Sequence, residues 1–152
     1  MSYATKEEVK SMFRDFADND EAAVSDDELD LFLLNAHSII NAKISALYTL
    51  PITEADSPNS FNILKQIEMY KVACIVDDIL NNYSEADKKP SWCKQANMLL
   101  ESIAPSIDKK GKQPTPSLIL PDSDYNGTAT QKNQISILST SESVFKKNAD
   151  NW

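Results

Sequence analysis

One long amphipathic stretch, residues 25–52 (SDDELDLFLLNAHSIINAKISALYTLPI), constrains this chain more than any other feature. Ser25 and Glu28 stand at capping-box spacing: the serine side chain accepts from the Glu28 N–H, and the Glu28 carboxylate reaches back to the Ser25 N–H. Leu29, Phe32, Leu33, Ala36, Ile40, Ile44 and Leu47 then recur three and four apart, which is one face of a 3.6-residue helix. Pro51 is expected to end that helix, because it lacks an N–H and pushes Leu50 out of the helical region. A stripe of this length has to be buried, so the rest of the chain must supply elements that cover it.

Three further segments carry helical patterns. Thr5 and Glu8 form a second capping box, followed by Val9, Met12, Phe13 and Phe16 on one face, which predicts a short helix ending near Ala17. A loop over 52–59 containing Pro58 leads to a third helix over 60–83. Its apolar residues, Phe61, Leu64, Ile67, Tyr70, Val72 and Ile75 among them, lie nearly all round, as in a helix at the centre of a bundle or pressed between subunits. Asp77 and Asp78 mark where it meets water. A fourth helix starts at Pro90 or Ser91, places Trp92, Ala96, Leu99, Leu100 and Ile103 on one face, and stops at Pro105.

Only Gly111 and Gly127 are glycines. A β-sandwich or a nucleotide-binding α/β domain needs glycine turns earlier in the chain. The expected fold class is therefore all-α: a small antiparallel bundle of about four helices, with the first too short to be a full member.

Past Ala104 the composition changes. Prolines and polar residues deny 105–152 a core of its own, so the chain divides into a helical domain over 1–104 and an extended arm over 105–152. Leu118, Ile119 and Leu120, and later Ile135, Ile137 and Leu138, lie in short β-prone runs, and Phe145 and Trp152 add large apolar groups. Asn126-Gly127 is a hairpin turn signal. These eight apolar residues are the predicted partner-binding set, with the arm adding short β-strands to a partner.

Charge and motifs exclude several functions. Residues 1–103 carry a net charge of −9 and residues 104–152 a net charge of +1, so phosphate-backbone attraction is not the expected source of affinity. Lys109, Lys110 and Lys112 form a small basic cluster without interleaved aromatics, better matched to an acidic partner surface than to nucleic acid. An EF-hand loop starting at Asp18 fails at Ala22, Ala23 and Leu29, leaving a solvated acidic loop and no expected metal. His37, the only histidine, lacks an activated serine or cysteine signature and is expected to pack. Phosphate loops, dinucleotide glycines and zinc spacings are absent, so neither an enzyme nor a cofactor is expected. Cys74 and Cys93 lack CxxC spacing and are expected as reduced packing residues. Without a signal peptide at Met1 or an apolar run of about 20 residues, the chain is expected to be soluble and away from membranes.

Tyr3 and Thr5, Ala36 and Ile40, the corner Tyr48, Leu50 and Pro51, and Ile67, Tyr70 and Ala73 together resemble the Mu-like family of bacteriophage head-tail connector (head-completion adaptor) proteins. The resemblance covers about residues 2–103. An acidic residue expected ahead of the family's alanine is Asn35 here, and an arginine expected before the corner tyrosine is Leu47.

The resemblance implies a helical subunit of a homo-oligomeric, dodecameric ring in the virion neck, made in the host cytoplasm. The ring would lie between the portal protein and a stopper or tail-completion protein and extend the DNA channel. DNA would pass it without specific contact, and acids at Asp18, Asp20, Glu21, Asp77 and Asp78 would face the channel, where like charge keeps DNA from sticking. Two other readings compete: a small helical interaction module or dimeric regulator with no virion role, and an enzyme with a pocket around His37.

Overall fold

The computed structural model describes residues 2–13, 16, 23–81 and 91–127. Four helices hold 56% of these residues: α1 (Lys6–Lys10), α2 (Asp26–Ile44), α3 (Pro58–Asn81) and α4 (Ser91–Ile103). The all-α expectation holds.

Both capping boxes form. Thr5 and Ser25 each accept from the N–H three residues on, and Glu8 and Glu28 return to the cap N–H groups at 2.9 and 2.8 Å. The stripe of α2 is buried as its spacing predicts, with Leu29, Leu33, Ala36, Ile40 and Ile44 all inside.

Ala36 and Leu33 meet Val72 and Val76, while Ile40 and Ile44 meet Leu64 and Ile67. The two helices are therefore antiparallel. On the other side of α3, Leu100 and Ile103 of α4 meet the same Leu64 and Ile67. Hence α3 is central, flanked by α2 and α4, which run parallel to each other; Lys43 of α2 pairs with Glu101 of α4 where they converge. This is the central position that an apolar surface on most sides of the third helix requires.

Helix bounds differ from the pattern-based ones for identifiable reasons. α1 ends at Lys10, where Ser11 turns its hydroxyl back onto the Glu8 carbonyl at 2.6 Å. α2 ends at Ile44 rather than at Pro51: Ser45 hydrogen-bonds the Ala42 carbonyl, and Tyr48 is drawn into an antiparallel bridge with Tyr125. α3 starts at Pro58, placed by the pattern in a loop, because its fixed φ and missing N–H suit the first helical position. The Leu50–Pro51 peptide is cis.

Cys74 and Cys93 are joined in a disulfide, contrary to the expected reduced pair. The antiparallel packing of α3 on α4 brings their Cα atoms to 5.0 Å, a separation that neither residue's local sequence reveals.

The segment after α4 also departs from expectation. Residues 105–127 fold back over the body. Leu118 N–H donates to the Ser102 carbonyl at 3.0 Å, Thr49 N–H to the Asp124 carbonyl at 3.0 Å and Asn126 N–H to the Leu47 carbonyl at 2.7 Å. Asn126 is thus tied to the α2 corner; the strand that a hairpin at Asn126-Gly127 would return lies outside the described residues. Leu120 is 1% exposed inside the chain's own core, so it is not a partner-binding residue; Ile119 is half-buried and Leu118 stays at 38%. Among the described residues the only β pairing is the Tyr48–Tyr125 bridge. Ile135, Ile137, Leu138, Phe145 and Trp152 lie outside the described residues, as does the second β-prone run.

Candidate assembly surface

The outward face of α2 is mixed, with three large apolar residues exposed among Asp27, Asn35 and Ser38. Leu31 is 63% exposed, Leu34 55% and Ile39 47%. Leu31, Asn35 and Ile39, four apart, climb along the helix toward a cleft of about 150 Å³. Its floor is α3, with Cys74 and Ile75; its walls are Ala36 and Ile39 from α2 and Cys93 and Ala96 from α4. Exposed Asn35 and Asn97 stand on opposite rims. Lys71 also lines the cleft, where burial lowers its ammonium pKa, and among the described residues it has no carboxylate partner. The parallel course of α2 and α4 leaves α3 uncovered between them, and the Lys43–Glu101 pair closes one end. Met98, 70% exposed, and half-exposed Ile79 and Leu80 extend the apolar character of α4 and α3. Separately exposed apolar residues are ordinary; several on one helix beside a cleft are what interaction surfaces show.

A second feature lies inside. Glu68, on α3 between Ile67 and Met69, is fully buried and accepts from the Ala4 N–H at 2.5 Å. Tyr3 hydroxyl donates to Asn41 Oδ1 at 2.5 Å, which leaves Asn41 Nδ2 to donate to His37 Nε2 at 2.8 Å. His37 Nδ1 then carries the ring proton and faces Glu68 Oε1 at 3.4 Å; among the described residues neither atom has a closer partner. The circuit closes through the Tyr3–Ala4 peptide. It sits between the two apolar clusters of the core, one built on Ile40, Ile44, Leu64 and Ile67, the other on Leu29, Leu33, Val72 and Val76.

Burial pushes the Glu68 carboxyl up to about 7 and the His37 imidazole down. Tyr3, packed 4.6 Å from the His37 ring and T-shaped on Phe61, is pushed up to about 12 by burial and by Glu68. The circuit latches residues 3–4 onto α2 and α3, and His37 faces Glu68 and Tyr3 rather than the cleft. Glu68 escaped the sequence reading; an acid set directly between Ile67 and Met69 was the signal.

The remaining predicted site residues scatter. Asp78 is exposed and shares a stripe of α3 with Cys74 and Ile75, one turn away. Asp77 points about 100° elsewhere and is half-buried. Asp18, Asp20 and Glu21 lie outside the described residues. The acids beginning α2 are engaged: Asp26 meets Lys10 at 2.6 Å, and Asp30 meets Lys6 at 3.1 Å. Lys109, Lys110 and Lys112 are exposed on one tight turn, where Asp108 accepts from the Lys110 and Lys112 N–H groups at 2.8 Å and Gly111 adopts φ of +73°. Among the described residues no cluster of three metal-ligating side chains occurs, and no helix is long and apolar enough to cross a membrane.

No protein-family model, curated protein or solved structure matches this chain.

Proposed function

We propose that the chain is a structural subunit of a bacteriophage head-tail connector, an adaptor ring in the virion neck between the portal and a stopper or tail-completion protein. The supporting observation is the set of exposed apolar residues on the outward face of α2, Leu31, Leu34 and Ile39, running into the open cleft over α3. A closed ring uses a heterologous contact in which two different surfaces of each subunit meet. This face supplies one of them, and the residues beyond the body supply apolar groups for the other.

The net negative body fits a role beside DNA without binding it, since like charge lets the duplex slide. Asp78, exposed on α3, is the acid of the described set that suits a channel wall. Leu118 and half-buried Ile119 remain available at the surface for a neighbour. The buried circuit holds a helical scaffold together, and neither catalysis nor a cofactor enters this reading.

Mass photometry of the chain alone and mixed with portal protein tests it. The expected result is a portal-bound species containing about twelve copies of the 17.0 kDa chain. A chain that ignores portal and tail proteins while forming a stable dimer by itself would favour the regulator reading instead.

A further inference from the structure

The cleft over α3 has the chemistry of a receptor for an extended peptide. Its centre is apolar, with Ala36, Ile39, Ile75 and Ala96 around it, and a cavity of about 150 Å³ takes one large apolar group. Its two rims differ from its centre: Asn35 and Asn97 each present a side-chain amide, with one acceptor and two donors, matching the N–H and C=O groups of a passing backbone. Lys71 adds three N–H donors at the edge of the same space. A helical partner satisfies its backbone groups internally and would meet such rims only through side chains. A strand has use for both centre and rims, with alternate side chains entering the cleft and the backbone bridging the amides.

The chain itself contains a segment of that description. Gln134-Ile-Ser-Ile-Leu-Ser139 places Ile135 and Ile137 on one face of a strand, with Ser136 between them and Leu138 on the opposite face. It begins seven residues past Gly127, where the described part ends, and 25 residues lie beyond that point. Asn126 is tied to Leu47, and nine extended residues from there to Ile135 span up to ~30 Å. Ile39 lies eight residues before Leu47, roughly 12 Å at helical rise. The arm can therefore extend past its own cleft, which leaves it free to serve a neighbouring copy.

We propose that the cleft between α2 and α4 receives residues 134–139 of a neighbouring copy, with Ile137 or Ile135 in the cavity and the Asn35 and Asn97 amides on the strand backbone. The donor is a neighbour because the ring reading calls for a contact between two different surfaces of successive subunits, and exposed Leu31 and Leu34 beside the cleft add to such a surface. A second subunit covers the strip and delivers its arm in one contact. This deepens the ring reading and rests on it for the choice of donor.

The test is a titration of a fluorescein-labelled peptide spanning residues 131–143 with the full chain, read by fluorescence anisotropy. Saturable binding is expected. Ile39→Glu, at a position already 47% exposed and so compatible with folding as checked by circular dichroism, is expected to weaken it at least tenfold. A peptide with both Ile135 and Ile137 replaced by serine should lose binding similarly. No binding to the full chain, or binding indifferent to Ile39→Glu, overturns the proposal. Mass photometry with portal separates the two claims: rings that form without measurable peptide binding sink the receptor and leave the connector standing. Peptide binding without rings does the reverse.

Discussion

Asp122 caps a helix that begins 64 residues before it: its Oδ1 accepts from the Ser60 N–H at 2.8 Å and from the Ser60 hydroxyl at 2.5 Å, while its Oδ2 accepts from the Asn59 N–H at 2.9 Å. The first turn of a helix has unpaired N–H groups, ordinarily satisfied by the residue just before it. Here Pro58 opens α3 and the cap comes from the far end of the chain, with Ser57 holding the Asp122 carbonyl at 2.7 Å. Those bonds, the Ser60 hydroxyl foremost, hold the Asp122 carboxyl down at about 2. The depressed value contributes stability present above the unfolded value of 3.8 and lost as pH falls through about 2. Asp122→Ala is expected to lower the melting temperature by several degrees at neutral pH and to expose 105–127 to protease. An unchanged digestion pattern would contradict the cap's role.

Leu120 tests whether this segment belongs to the body. It is 1% exposed and packs in the cluster with Ile44, Leu64 and Ile103. Leu120→Ala should cost about 2–5 kcal/mol of unfolding free energy, the usual range for a buried leucine. A detachable arm would give almost no change in the urea midpoint.

The Glu68 latch predicts an uncommon pH dependence. Its carboxyl is raised from 4.5 to about 7 by burial, so the folded state holds a proton the unfolded state has released. That contribution is fully present below pH 4.5 and is lost as pH rises through about 7, with a slope of at most about 1.4 kcal/mol per unit. His37, lowered by burial from 6.5, acts oppositely: below 6.5 the unfolded chain takes a proton that the folded one refuses. Ala4 N–H and Tyr3 also face the site, and Glu8 repels its charge from α1. Urea melts of Glu68→Gln across pH 4.5 to 7 should lose the downward trend of the parent and rise instead. A parallel curve for the two proteins would contradict the assignment.

The disulfide gives the fourth prediction. Cys74 and Cys93 close a loop of 19 residues, for which chain entropy alone predicts about 3 kcal/mol. The reduced chain should melt in less urea by that amount, and Cys74→Ser with Cys93→Ser should match it with and without reductant. Equal midpoints for oxidised and reduced chain would show that the bridge adds nothing.

The helical body was legible because its signals are local: both capping boxes, the α2 stripe and the all-round apolar surface of α3 are read within a few turns. What was not legible depends on distant residues. Tyr125 draws Tyr48 out of the helix that its apolar spacing would otherwise extend, Asp122 makes a helix start of Pro58, and Cys93 meets Cys74 only once α4 lies on α3. Asn35 is an exposed rim of the cleft and Leu47 is buried in the core. The cleft itself arises from three helices and has no signature in any one of them.

A reconstruction of the particle neck tests the central claim most directly. The expected result is a ring of this chain between portal and tail, with the Leu31–Ile39 face of each subunit covered by its neighbour. Necks complete without this chain, or copies bound with that face open to solvent, would contradict it.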